Sequence, residues 1–303
     1  MPPSRVQIAI GGMWINVYGL SELFSSEKKE AVILFFLHGR FGSAERIEHI
    51  VHKTYDDAAA AAAAAAATAA MSNASNSKDS DTQRGLLIVS IDHRNHGTRK
   101  ISAMGQQSWT EGNMKHAQDM LAMQTGTAQD VSFLADFLPP FLFPNDEVQV
   151  TKWAVTGISL GGHSVWIVLN QDPRFEIGAP ILGCPSYRVL MKQRAEKAGL
   201  AFEAPYMPKS LLSLLDRLDP DGVDYSSTDP SSNPYLGKKI LVLHGGNDEL
   251  VPWDCCKTFV DGLQVGPEGE KNVFIEQDRG HETSSLMVSE LVKWLVKYGI
   301  SST

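Results

Sequence analysis

Cysteine is scarce in this chain of 303 residues, which carries three, Cys184, Cys255 and Cys256. The number is odd and two are adjacent, so no disulfide framework is expected. Neither a Cys-x-x-Cys pair nor a His/Cys ligand spacing suggests zinc, and no metal is expected. No apolar run reaches 18 residues, so no membrane span is expected. The opening residues Met1-Pro2-Pro3-Ser4-Arg5 lack the apolar stretch of a signal peptide. The closing Ser301-Ser302-Thr303 is no recognisable address, and a cytoplasmic location is the expectation. No Lys/Arg cluster is present and the formal net charge is −8, which argues against nucleic acid as a partner. What remains is the composition of a soluble globular protein, 43% hydrophobic and 20% charged, with enough apolar residues for a sizeable core.

The chain is organised around Gly157-Ile158-Ser159-Leu160-Gly161. The alternating, strand-forming Thr151 to Thr156 precede it, and Gly162 to Leu169 read as a helix. A Ser between strand and helix, with Gly two residues to either side, is the context of a nucleophile elbow. The flanking glycines remove the Cβ atoms that would clash where strand and helix approach. Taken alone, the pentapeptide also fits a Gly-punctuated loop with an ordinary Ser, so the rest of the chain must supply a base, an acid and an oxyanion hole.

Residues 5–20 read as two short strands about the turn Gly11-Gly12, and 21–30 as a polar loop. Ala31 to Leu37 is a continuous apolar run, the pattern of a strand buried on both faces of a parallel sheet. His38-Gly39-Arg40-Phe41-Gly42-Ser43 follows. Such a turn lets backbone N–H groups face the elbow, so the N–H groups of Arg40 and Leu160 are the candidate oxyanion donors. Ser43 is the expected N-cap of a helix to about residue 70. Over 58–70 that helix is almost pure alanine, and a polar, mobile loop is expected to follow to 84. The next buried strand, Leu86 to Ile91, ends in Asp92-His93-Arg94-Asn95-His96-Gly97. Either His93 or His96 could be a base, but that loop precedes the elbow and reads instead as a hydrogen-bonded support beneath the site, its Asp, Arg and Asn satisfying one another. Met104 and Trp109 stand in a loop that could line a pocket. A helix over 115–138 is expected to stop at Pro139-Pro140.

Residues 187–236 break the alternation of strand and helix with helical pieces at 188–199 and 209–218 and five prolines, and read as a lid inserted over the sheet edge. The alternation resumes at Lys239 to His244, followed by Gly245-Gly246-Asn247-Asp248-Glu249-Leu250-Val251-Pro252. After a helix at 252–263 and a strand at 272–276 comes Asp278-Arg279-Gly280-His281-Glu282, and a last helix spans 283–299. Ser159, Asp248 and His281 each follow an expected strand, in the chain order Ser…Asp…His. The chemistry needs all three: an imidazole takes the hydroxyl proton, and a carboxylate holds that imidazole in the right tautomer. Glu249 or Asp254 could serve as the acid instead, Asp248 could be a helix cap, and His281 could cap the final helix.

The elbow, the His38-Gly39 turn, the His-Gly-x-x-Asp-x-x-Val-Pro stretch ending at Pro252 and Gly280-His281 resemble the α/β-hydrolase superfamily, in its serine esterase and peptidase-like group with a small cap. The resemblance covers roughly residues 5–300 and implies a single α/β domain over 1–303. Its architecture would be a mostly parallel, doubly wound sheet of about eight strands, with helices on both faces and a short helical lid. It implies Ser159, Asp248 and His281 as the triad, Arg40 and Leu160 as the oxyanion hole, and no cofactor. Phe41, Trp109 and Met104 are candidate substrate contacts. The expected reaction is cleavage of a small-molecule carboxylic ester or lactone through an acyl-enzyme. Arg40 with Phe41 and Trp109 hints at an aromatic or carboxylate-bearing substrate. Thioesterase, acyltransferase, peptidase and carbon–carbon hydrolase chemistry remain alternatives, as does a non-catalytic binding module. Peptidase is disfavoured because no propeller precedes the catalytic part. Monomer and homodimer are both open.

Overall fold

Along β3, Glu30–Leu37, alternate side chains enter two separate hydrophobic cores. Ala31, Ile33, Phe35 and Leu37 pack on one face of the sheet, Val32, Leu34 and Phe36 on the other. A strand with period-two geometry and water on neither side must be apolar at every position, which is why the run is unbroken. The computed structural model describes residues 2–26, 28–72 and 83–301.

The strands are β1, Arg5–Ile10; β2, Met13–Tyr18; β3; β4, Gly85–Ile91; β5, Gln149–Ile158; β6, Phe175–Ile181; β7, Lys239–Gly245; and β8, Glu270–Glu276. They form one eight-stranded open sheet in the order β1-β2-β4-β3-β5-β6-β7-β8. β1 and β2 are antiparallel to their neighbours, while β4 through β8 run parallel. The helices are α1, Leu20–Ser25; α2, Glu48–Ser72; α3, His116–Leu142; α4, Leu160–Gln171; α5, Tyr187–Lys197; α6, Lys209–Leu218; α7, Asp254–Gly262; and α8, Ser285–Leu295. Buried residues of α2 and α8 share one core, and those of α3, α4 and α7 the other, so the sheet is covered on both faces. This is the α/β-hydrolase fold. Among the described residues no helix is long and apolar enough to cross a membrane.

Register brings the site together. Leu37 lies beside Gly157, Ile158 beside Ile181, Ile181 beside Leu243, and Gly245 beside Glu276. The C-terminal ends of β3, β5, β6, β7 and β8 therefore finish level, and the loops that follow share one rim.

Four local expectations need correction. Residues 20–25 are helical rather than a loop, because the Glu22 carboxylate accepts the backbone N–H (2.8 Å) and hydroxyl (2.5 Å) of Ser4 and Leu23 is buried. The alanine-bearing helix starts at Glu48, not after Ser43. The Ala44 N–H is taken by Asp92 Oδ1 at 2.8 Å, which holds 44–47 in turns. Pro139 and Pro140 do not end α3 but sit in its last turn, where Leu138 and Leu142, four residues apart, are both buried and Phe143 N–H closes onto Pro139 O at 2.8 Å. Packing there outweighs the hydrogen bonds that the prolines cannot donate. Asp92, Arg94 and Asn95 find their partners outside one another, as described below. In α2, Val51, Thr54, Ala58 and Ala62 face the core, whereas Ala63 to Ala67 are exposed. Most of the expected polar loop, 73–82, lies outside the described residues.

Candidate active site

Ser159 occupies the one-residue step between β5 and α4 at φ 53°, ψ −107°. Few residues with a side chain adopt this region, and it persists only where the surroundings impose it. They do so here through backbone contacts. Ser159 N–H donates to Ile181 O (2.8 Å), and Gly161 N–H donates to His38 O (3.1 Å). A Cβ on Gly161 would stand 2.5 Å from Leu37 O and 2.8 Å from Leu37 Cβ, so α4 starts hard against the end of β3. Gly161→Ala is therefore expected to destabilise the fold by about 1–3 kcal/mol, since the obstructing atoms belong to a central strand that cannot yield. An unchanged midpoint in urea unfolding would contradict this account.

His281, in the loop after β8, and Asp248, in the loop after β7, complete a chain of hydrogen bonds. Ser159 Oγ–H donates to His281 Nε2 at 2.8 Å, and His281 Nδ1–H donates to Asp248 Oδ2 at 2.6 Å. The Asp248 carboxylate is fully enclosed, and its other oxygen accepts Leu250 N–H (3.0 Å) and Val251 N–H (2.9 Å). Burial alone would raise this carboxyl, but the hydrogen bonds from His281 and Val251 and the nearby imidazoles outweigh it and hold it below the ordinary value. An ionised Asp248 can only accept, so it fixes the proton on His281 Nδ1 and leaves Nε2 as the acceptor facing Ser159. The two loops are bound to each other: Asn247 N–H donates to Arg279 O (2.9 Å), and Gly246 N–H to Glu276 O (2.9 Å). A Cβ at Gly245 would meet the carbonyl oxygens of Arg279 and Gly280 at 2.5 Å, which accounts for the paired glycines after His244. Glu249 and Asp254, the alternative acids, make no bond to His281.

The His38 turn lies alongside, with a Cβ on Gly39 reaching within 3.6 Å of Ser159 Cβ. Among the described residues the N–H groups of Arg40 and Leu160 donate to no protein acceptor. Beneath them His38, His93 and His96 form a buried cluster, with ring centroids 4.3 to 6.0 Å apart. Burial pushes His38 down to about 4, and lowers His93 and His96 as well, so all three stay neutral. His38 Nδ1–H donates to Gly39 O (2.7 Å), and its Nε2 accepts His93 N–H (3.0 Å), which shapes the turn that carries Arg40. Asp92 holds Ala44 and Thr98, Arg94 pairs with Asp130 at 2.9 Å, and Asn95 bonds the backbone of Ile101 and Ser102. The three cysteines are buried and unpaired. Among the described residues no group of three His, Cys, Asp or Glu is placed to hold a metal ion.

A cleft of about 210 Å³ opens between Arg40 and Trp109 on one side and α5 on the other. Glu249 and Leu250, which follow Asp248, belong to its wall. Of the expected substrate contacts, Trp109 lines this cleft. Phe41 and Met104 do not: both are substantially exposed, and Phe41, at φ 63°, lies under the Arg40 guanidinium (4.7 Å). Sequence reasoning missed His116, Gln193, Arg194 and Lys197 in the same wall. The one signal for the last three was the i, i+1, i+4 spacing of Gln193, Arg194 and Lys197 within the insertion, which puts them on neighbouring faces of one helix.

A strained serine at a strand–helix step, bonded to a histidine that is itself bonded to an aspartate on the same rim of a mostly parallel sheet, defines the class as a serine hydrolase of α/β-hydrolase fold. Residues 140–298 match the prolyl oligopeptidase family, and the chain belongs to it. Among solved structures, TT1662 from Thermus thermophilus is similar at 18% identity and a TM-score of 0.63, covering 97% of each chain. Est1E from Butyrivibrio proteoclasticus, in a structure with ferulic acid bound, is 17% identical with a TM-score of 0.55, covering 95% of this chain and 96% of the other. Dipeptidyl peptidase 4 of Porphyromonas gingivalis is 13% identical with a TM-score of 0.58. It matches 98% of this chain, which spans only 35% of that protein. No curated protein matches the chain in sequence.

Proposed function

We propose that this protein hydrolyses a carboxylic ester or lactone of a small molecule through an acyl-enzyme on Ser159. The observation that carries the reading is the hydrogen-bonded line Ser159–His281–Asp248 ending on a serine at φ 53°. His281 Nε2 takes the hydroxyl proton as Oγ attacks the carbonyl carbon, and the N–H groups of Leu160 and Arg40 hold the oxyanion. Each such donor is worth about 3–4 kcal/mol of transition-state stabilisation. His281 then passes the proton to the leaving alcohol and removes one from the water that releases the acid. The small cleft and the likeness to Est1E support an ester of modest size. A peptidase is the second reading, favoured by the family match and by the likeness to dipeptidyl peptidase 4.

The test is labelling with a fluorophosphonate followed by mass mapping. A single adduct on Ser159, lost in His281→Ala, is the expected result; an adduct elsewhere, or none, would sink the assignment. Comparison of a p-nitrophenyl ester with the p-nitroanilide of the same acid separates the two readings. Faster cleavage of the anilide would favour the peptidase.

A further inference from the structure

Three cations, Arg40, Arg194 and Lys197, line the cleft whose wall includes Glu249 and Leu250, the residues that follow Asp248, in a chain whose net charge is −8. None of the three lies within ion-pair distance of a carboxylate among the described residues. Each spends a single donor on a backbone carbonyl: Arg194 Nη2 on Leu250 O, Lys197 Nζ on Glu249 O and Arg40 Nη1 on Gln106 O, all at 3.2 Å. A guanidinium has five donors and an ammonium three, so most of this hydrogen-bonding capacity is left over. Arg194 Nε is shut away from solvent without any partner. Burial pushes this guanidinium down to about 10, and the neighbouring Arg40 charge adds to the effect. The same field reaches His116 in the cleft wall, where burial and then the charges of Arg194 and Arg40 push the imidazole down to about 4. Two carboxylates face the group: Glu249 in the wall, and Glu111 towards Arg40, its oxygen already held by Ser108 N–H and hydroxyl.

Leaving a solvent-shielded guanidinium N–H such as Arg194 Nε without an acceptor is costly unless a partner arrives with the ligand. A carboxylate is the planar, two-pronged acceptor that an arginine fork fits. Resting on the hydrolase reading above, we propose that the cleft selects substrates bearing a carboxylate, gripped by Arg194 with Arg40 and Lys197, so that the enzyme acts on anionic rather than neutral esters.

The experiment compares kcat/KM within isosteric pairs. Mono-p-nitrophenyl glutarate against p-nitrophenyl valerate places the charge on the acid half. 4-Acetoxybenzoate against 4-acetoxytoluene places it on the alcohol half. In at least one pair the anionic ester is expected to be preferred by roughly tenfold or more, as suits a charge-assisted, bidentate contact. Arg194→Met should lower that anionic rate by about 10- to 100-fold while moving the neutral one less than about threefold. Arg194→Lys should fall between, because it keeps the charge and loses the fork. Lys197→Met should erode the same preference, which guards against a fold defect specific to position 194. Neutral esters favoured or equal in both pairs, or an equal loss on both members in Arg194→Met, would overturn the proposal and leave the hydrolase reading intact. Should no ester turn over, that reading fails, and calorimetric binding of glutarate decides this one: heat that disappears in Arg194→Met sustains it, and silence with wild type ends it.

Discussion

Alanine at position 159 is expected to lower turnover of p-nitrophenyl acetate by roughly 10⁵- to 10⁶-fold, the scale on which removal of an activated serine acts elsewhere. The expectation is that large because the rest of the machinery converges on Oγ. His281 Nε2 lies 2.8 Å from it, and no other hydroxyl among the described residues is bonded to that nitrogen. The fold should survive the change. Alanine keeps the Cβ, so the backbone strain at φ 53° is the same in both proteins. The bonds that enforce the step, Ser159 N–H to Ile181 O and Gly161 N–H to His38 O, are made by the main chain. His281 remains half-buried and water can replace the lost hydroxyl. A variant with wild-type unfolding behaviour and less than about a thousandth of the rate would match this description. Retention of more than a few per cent would mean that another group, or water activated by His281, performs the reaction.

Much of this site was readable because its signals are local. A strand buried on both faces has to be apolar throughout, so Ala31 to Leu37 announced itself. The elbow and the aspartate and histidine loops each follow such a strand, and parallel register then carries them to one rim. The boundaries of α5 and α6 fell within two residues of expectation, since both carry ordinary helical residues between prolines.

What escaped was set at a distance. α1 depends on Ser4 reaching Glu22, and the delayed start of α2 on Asp92 reaching Ala44. Pro139 and Pro140 read as a stop because propensity is a local rule, while the burial of Leu138 and Leu142 is not. The cleft is the plainest case. α5 is seated by the Asp219 carboxylate, which accepts the N–H groups of Tyr187 and Arg188 from 32 and 31 residues away, and by the Tyr187 hydroxyl on Ala117 O. No periodicity in the insertion encodes that docking, so neither Arg194 nor its proximity to Arg40 could be inferred from the chain alone. Phe41, a candidate substrate contact, is not among the residues lining the cleft but lies against Arg40, which is, and its backbone at φ 63° is not signalled by its identity.

Asp248→Asn should cost about 10⁴-fold in turnover while leaving the fold intact, and here the hydrogen bonds dictate how. One carboxylate oxygen accepts Leu250 N–H and Val251 N–H, and the other accepts His281 Nδ1–H. An amide has one oxygen and one NH₂. If the oxygen faced His281, the NH₂ would meet the N–H groups of Leu250 and Val251 and two hydrogen bonds would be lost at once. The stable orientation therefore keeps the oxygen on Leu250 and Val251 and turns the NH₂ towards His281 Nδ1. That nitrogen must then accept, which moves the imidazole proton to Nε2, where it points at Ser159 and can no longer take the hydroxyl proton. The backbone caps survive, so unfolding should change little. Fluorophosphonate labelling of Ser159 should slow in proportion to turnover, since both need Nε2 as the acceptor. A crystal structure of the variant with geometry unchanged and activity nearly gone would be the clearest form of this result. Activity within about tenfold of wild type would mean that the carboxylate positions His281 without setting its tautomer.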